Sequence, residues 1–136
     1  MIQSLHHIGI AVDDLDAAVH LYRDVLGLSF QGIEDVPTEG VRVAVVMAGA
    51  VRIELLQALR PDSAIAKFID KRGPGIHHLA FAVDSTQATI DSLKQKGAPL
   101  LDQTPRPGAH GTKVAFIHPK GLKGVLAELV EDPHGH

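Results

Sequence analysis

Two segments of the chain, 5–12 and 76–83, alternate in side-chain character with the period of two that is typical of β-strands. Each segment runs into acidic or hydroxyl residues of the kind that begin helices. Apolar residues then recur at helical spacing until Gly27 in the first half and Gly97 in the second, and a glycine is a common helix end. The sequence therefore predicts the same strand–helix unit twice.

Further apolar runs after each helix predict three strands in each half of the chain. We place them near 28–34, 40–48 and 51–57, and again near 98–103, 112–118 and 124–130. The residues from Thr104 to Gly111 are expected to form a loop, and the tail from Asp132 onward is expected to fray.

The predicted order is βαβββ in each half, so the fold class is α+β with two tandem modules. We assign module one to 1–58, a linker with a short helix to 59–75, and module two to 76–136. A length of 136 residues suits one compact domain built from both modules, and we expect a single domain over 1–136.

Strand alternation separates the two adjacent histidine pairs. His7 and His78 share their strand faces with small residues, whereas His6 and His77 share theirs with bulky apolar ones. Small neighbours leave space above a sheet. We infer that the faces of His7 and His78 line a cavity and that the bulky faces pack on the helices.

Each half also ends in an apolar strand with a single glutamate, Glu54 in one and Glu128 in the other. Burying an unpaired carboxylate is costly, and a cation offsets that cost. A single strand histidine is more often structural than a ligand, and a single strand glutamate is more often exposed. The joint repeated pattern nevertheless predicts a metal site made by His7, Glu54, His78 and Glu128.

Composition narrows the chemistry of this site and of the partners. The chain has no cysteine, so disulfides and thiolate ligands are excluded, and two imidazoles with two carboxylates suit a borderline divalent ion. We expect Co²⁺, with Mn²⁺, Ni²⁺ and Zn²⁺ as alternatives.

A net charge of −3 argues against nucleic-acid binding, and no apolar run approaches the roughly 18 residues of a membrane span. With no visible targeting segment, the expected location is cytoplasmic.

Several segments together resemble the vicinal-oxygen-chelate superfamily, and within it the methylmalonyl-CoA epimerase family. The resemblance spans essentially the whole chain and is carried by 5–12, 62–68, 75–81, 108–111, 116–120 and 124–129. It implies that the paired βαβββ modules form a half-barrel metal cup. It also implies an enzyme that interconverts the C2 epimers of methylmalonyl-CoA, and it favours a homodimer.

The resemblance also implies roles for individual residues. His7, His78 and Glu128 match family metal ligands, and Glu54 falls at the fourth ligand position. A metal would stabilise the enolate as a Lewis acid while carboxylates move the C2 proton, and Glu128 is our first choice for one of these groups. Some relatives carry a second catalytic glutamate where this chain has Val43. Either Glu54, as both ligand and base, or a metal-bound water could take its place.

The coenzyme A phosphates need cationic partners, and among several candidates Lys120 is favoured because it lies in a motif loop.

Two other functions remain open at this point. A glyoxalase I, or lactoylglutathione lyase, would use the same four ligands on a glutathione thiohemiacetal. A non-enzymatic relative that binds an antibiotic would need no metal, and four intact ligands argue against it.

Overall fold

The computed structural model of the chain describes residues 1–134. Eight strands and three α-helices follow one another along these residues. The elements are β1 (Ile2–Ala11), α1 (Leu15–Val19), β2 (Ser29–Val36), β3 (Val41–Ala48), β4 (Val51–Ala58), α2 (Ala64–Arg72), β5 (Gly75–Val83), α3 (Thr86–Gln95), β6 (Arg106–Pro107), β7 (Lys113–Ile117) and β8 (Ala127–Glu131). The order βαβββ occurs twice, which confirms the predicted α+β class with tandem modules. Within residues 1–134, no helix combines the length and the apolar character that crossing a membrane requires.

The chain divides into two compact units. The first unit is His7–His77, and the second combines Met1–His6 with the chain from His78 onward. The division falls inside β1, between His6 and His7. The predicted boundaries at 58 and 75 and the single domain over 1–136 stay predictions.

The helices begin at the residues that the sequence favours. Asp14 caps α1, where its carboxylate accepts a hydrogen bond from the backbone N–H of Ala17 at 3.1 Å. Ser85 caps α3 in the same way through Ala88, also at 3.1 Å. Beyond Val19 the first helix widens into a π-helix over His20–Val25, which the apolar spacing alone does not distinguish from an α-helix.

Four strands of the first unit lie in the order β2-β3-β4-β1. Strands β2, β3 and β4 are antiparallel to their neighbours, whereas β1 and β4 are parallel. One face of this sheet packs on α1. The buried core on that face consists of Val12, Leu15, Ala18, Val19, Ala44 and Leu55, with Ile10, Tyr22, Phe30 and Ile53 packed against it.

The second unit repeats this arrangement with the order β5-β8-β7-β6. Strands β5 and β8 are parallel, and β8, β7 and β6 are antiparallel in turn. Its sheet packs on α3 through Val83, Ile90, Ala115, Ile117, Ala127 and Leu129, joined by Phe81, Leu93 and Leu100. In both units the bulky strand face therefore packs on the helix, as predicted.

The predicted strand at 98–103 is wrong. Only Leu100 in this stretch forms a bridge, to Ile117, and the short strand β6 lies instead within the stretch predicted to be a loop. The sequence contains a physical reason, because Pro99 lies inside this stretch and lacks the N–H that a ladder needs. In addition, the Asp102 carboxylate accepts the backbone N–H of Phe116 at 2.8 Å, a donor that a paired strand would otherwise engage.

The tail prediction is wrong at its first residue. Asp132 follows β8 directly, and its carboxylate accepts the backbone N–H of His134 at 2.8 Å. Its second oxygen lies 2.7 Å from Nε2 of His6, and both side chains are buried. Asp132 is therefore fixed by a contact with its sequence neighbour His134 and by a contact with His6 on β1, 126 residues earlier in the chain. Residues 135 and 136 of the predicted tail lie outside the described residues.

Candidate metal centre

The first unit holds a buried histidine–glutamate pair on the sheet face opposite α1. Strand β1 supplies His7 and strand β4 supplies Glu54, and the imidazole Nδ1 lies 3.4 Å from the carboxylate Oε2. In the parallel register Glu54 is the partner of Gly9, which lies two residues after His7 on the same face. Because glycine has no side chain, the carboxylate has room to turn towards the imidazole.

The second unit holds an equivalent pair with the same strand offset. Strand β5 supplies His78 and strand β8 supplies Glu128, and Nε2 lies 3.2 Å from Oε1. Glu128 is the register partner of Ala80, which again lies two residues after the histidine. Ala80 is fully buried in a small cluster with Val114 and Val130 on this face. The small residues that the sequence placed beside each histidine are therefore the ones that face each glutamate.

These pairs suit a divalent cation by their chemistry and burial. His7, Glu54, His78 and Glu128 are all buried, and each belongs to a group of residues whose ligand atoms could hold a metal ion. Imidazole nitrogen and carboxylate oxygen are the donors that first-row divalent ions accept, and the positive ion offsets the cost of burying the carboxylates. The coarse prediction of a buried His/Glu group fit for a metal is confirmed, whereas the identity of the ion stays a prediction.

One aromatic contact at this centre was missed in the sequence. The ring of Phe116 on β7 packs edge-on against the imidazole of His78, and Phe116 is also the register partner of Glu128. The guanidinium of Arg106 lies over the same ring, 5.3 Å from its centroid, and its Nε lies 3.3 Å from the Asp102 carboxylate. The alternation of side chains in 113–117 indicates a strand, but it does not reveal which strand lies beside it.

The contact between His6 and Asp132 was also missed. Alternation placed His6 on the bulky face of β1, and its burial agrees with that placement. No sequence pattern pointed to Asp132 as its partner, because the contact joins residues from the two ends of the chain.

Lys120 lies in a tight turn between β7 and β8. The turn is a 3₁₀-helix over Pro119–Leu122, and its backbone N–H at Lys120 donates to Nδ1 of His118 at 3.0 Å. The Lys120 side chain is exposed. The turn precedes the strand that carries Glu128.

Comparison with known proteins supplies the family. The sequence model of the Glyoxalase/Bleomycin resistance protein/Dioxygenase superfamily matches residues 6–116. The ethylmalonyl-CoA/methylmalonyl-CoA epimerase of Cereibacter sphaeroides is 43% identical over 95% of this chain and 98% of its own length. The chain belongs to the methylmalonyl-CoA epimerase family.

Solved structures of the family agree with this assignment. The methylmalonyl-CoA epimerase of Mycobacterium tuberculosis is 42% identical, with a TM-score of 0.91 over 96% of this chain and 89% of that one. A variant of the Streptomyces coelicolor epimerase, in complex with 2-nitronate-propionyl-CoA, is 37% identical, with a TM-score of 0.92 over 98% and 96%. Relatives named as probable lactoylglutathione lyases are more distant, at 29% and 31% identity. The methylmalonyl-CoA epimerase resemblance that the sequence predicted is confirmed.

Proposed function

We propose that the protein interconverts the two C2 epimers of methylmalonyl-CoA in a metal-dependent reaction. The observation that carries this proposal is the repeated pair of buried His and Glu side chains, set by the same strand offset in both modules of a chain from this family. His7, Glu54, His78 and Glu128 are the proposed ligands. Each module contributes one nitrogen and one oxygen donor.

The ligand set matches the chemistry that this substrate requires. The C2 proton lies between a thioester and a carboxylate and is only weakly acidic. A bound divalent ion, for which we favour Co²⁺ over Mn²⁺, Ni²⁺ and Zn²⁺, would supply Lewis-acid stabilisation of the enolate charge. The protein side chains bind the substrate, exclude water and move the proton.

Glu128 is the proposed proton-transfer residue of the second unit. It is buried, so few water molecules compete with it for the C2 proton, and Phe116 and His78 restrict its surroundings. A carboxylate that removes a proton on one side of C2 must be complemented by an acid on the other side. Glu54 as ligand and base is one candidate for that second group.

The proposal also covers the binding of coenzyme A, the oligomeric state and the cellular location. Lys120 is exposed and carries a positive charge, so it suits a contact with a phosphate group of coenzyme A. We also propose a homodimer, which the family resemblance favours. A cytoplasmic location is part of the same proposal.

Metal analysis combined with a C2 exchange assay tests the proposed function. Purified protein loaded with Co²⁺ is incubated with (2R)- and (2S)-methylmalonyl-CoA in D₂O, and the bound metal is measured by elemental analysis. We expect about one ion per chain, deuterium at C2 and conversion between epimers. His78→Ala should lose most of the metal and nearly all activity.

The matched control is His20→Ala, because His20 is an exposed histidine on the first helix. It should retain both metal and activity. A protein that turns over only the hemithioacetal of glutathione would instead be a lactoylglutathione lyase. A metal-free protein that sequesters an antibiotic and exchanges no deuterium would be a binding protein.

A further inference from the structure

The first unit carries a second carboxylate on the sheet face that holds His7 and Glu54. The strands of this unit place their side chains alternately on the α1 face and on the opposite face, which we call the site face. Ala44 and Leu55 lie in the core against α1, so Val43, Val45 and Glu54 belong to the site face. Among the strand residues of His7–His77, only two carboxylates lie on it: those of Glu54 and Glu34.

The strand register gives the position of Glu34. On β2 it is the direct partner of Val43 on β3, and directly paired residues of antiparallel strands share a face. Val45, two residues further along β3, is the partner of Glu54 on β4. Glu34 therefore lies two strands from Glu54 and is offset from it by two residues along the strand direction. The apolar side chains of Val43 and Val45 lie between the two glutamates.

The exposure of the strand agrees with this placement. Glu34 is half-buried, whereas its neighbours Ile33 and Asp35 are exposed on the other face. Asp35 pairs there with Arg42 at 2.7 Å, and this ion pair lowers the pKa of the Asp35 carboxyl group. The two acidic residues of β2 thus have different surroundings, and Glu34 is the one on the site face.

A glycine leaves space on the site face beside Glu34. Gly32 is the β2 partner of Val45, in the row that also contains Glu54. A β-carbon built at Gly32 would meet no heavy atom within 4 Å. Neighbouring strands are roughly 4.8 Å apart, so β2 and β4 are separated by about 10 Å.

We propose that Glu34 is the second proton-transfer residue of the epimerase, the complement that Glu128 requires in a reaction that inverts the configuration at C2. This inference rests on the proposed function. In one direction, Glu34 accepts the C2 proton while the C–H electron pair enters the enolate, and Glu128 then donates its proton to the other side of C2. In the reverse direction the two carboxyl groups exchange roles, so protons and electrons balance.

The first unit offers two carboxylates on the site face for two different roles. Glu54 lies 3.4 Å from His7 and is the proposed metal ligand. Glu34 lies on the same face but two strands from that pair. In the first unit Glu54 is thus assigned to metal ligation and Glu34 to proton transfer.

The test is the variant Glu34→Gln, which keeps the size of the side chain and removes its acid–base function. General acid–base groups contribute about 10²- to 10⁴-fold, so we expect kcat for epimerisation to fall at least about 100-fold. KM and bound Co²⁺ should stay unchanged. In D₂O, one epimer should still exchange its C2 proton through Glu128 with retention of configuration, whereas the other should not.

Two further variants sharpen this test. The control is Asp35→Asn, on the other face of the same strand, and it should epimerise at the wild-type rate. The double variant Glu34→Gln/Val43→Glu moves the carboxylate to the paired position on β3, and we expect it to recover at least about tenfold of the lost rate. Circular dichroism verifies that each variant is folded.

Several results would overturn the role of Glu34. Epimerisation by Glu34→Gln within about threefold of wild type would do so, as would equal loss of exchange for both epimers together with loss of metal. A folded double variant without any recovery would contradict the placement on the site face. A wild-type protein that neither exchanges nor epimerises would overturn the proposed function itself, so the two failures are distinguishable.

Discussion

The phenyl ring of Phe116 packs edge-on against the imidazole of His78, with centroids 5.8 Å apart and an angle of 85° between the planes. This geometry places the positive edge of one ring towards the negative face of the other and restricts rotation of the imidazole. Arg106 covers Phe116 in turn, and Asp102 contacts both Arg106 and the backbone of Phe116. His78 is therefore held through a short series of contacts that begins in the 102–106 segment.

Phe116→Leu should weaken metal binding without unfolding the protein. Leucine fills part of the space but leaves the imidazole freer to rotate, and loss of a group that orients a metal ligand typically costs about 10- to 100-fold in affinity. Competition with a chelator measures the Co²⁺ affinity. Phe68→Leu is the control, because Phe68 contacts His77, which is not a proposed ligand. Equal affinities of Phe116→Leu and wild type would contradict the orienting role.

Glu128→Gln should abolish epimerisation while part of the bound metal is retained. The amide oxygen can still act as a ligand, but the side chain no longer accepts or donates the C2 proton. We expect the rate to fall by at least about 100-fold and the epimer that Glu128 deprotonates to stop exchanging deuterium. Mass spectrometry of each epimer in D₂O measures this. Undiminished exchange from both epimers would remove Glu128 from the reaction.

Asp132→Leu should destabilise the fold. The Asp132 side chain is 5% exposed and lies 2.7 Å from His6, so its loss leaves a buried imidazole without this partner. A buried polar group that loses its partner costs about 1–3 kcal/mol, and denaturant unfolding measures the change in free energy. Asp70→Leu, at an exposed helix position, should change stability by less than about 0.5 kcal/mol. Similar values for both variants would indicate that the contact contributes little.

Much of the fold followed from local patterns. The caps at Asp14 and Ser85, the linker helix and seven of the eight strands depend on neighbours within a few residues, and such signals are visible in one sequence. The second half after α3 was harder. There, Pro99 and a side-chain acceptor, Asp102, prevent the strand that apolar content around Leu100 suggested.

The candidate site, like the fold, could be predicted from the sequence only in part. His7, Glu54, His78 and Glu128 were visible because the pattern occurs twice, and repetition strengthens a weak local signal. Phe116, Asp132 and Glu34 were not visible, since their relevance depends on strand register and on contacts between distant segments. A sequence without aligned relatives contains little information on register, because sliding a strand by two residues preserves its alternation.

The shared offset between histidine and glutamate has a consequence for the origin of the protein. The offset is a property of backbone pairing, Gly9 with Glu54 and Ala80 with Glu128, and does not depend on the identity of other side chains. A half-length ancestor that associated with itself would thus already have possessed both donors in duplicate. In such a history each copy would be free to acquire its own partners after fusion, and the phenyl ring beside one imidazole and the valines beside the other carboxylate fit that freedom.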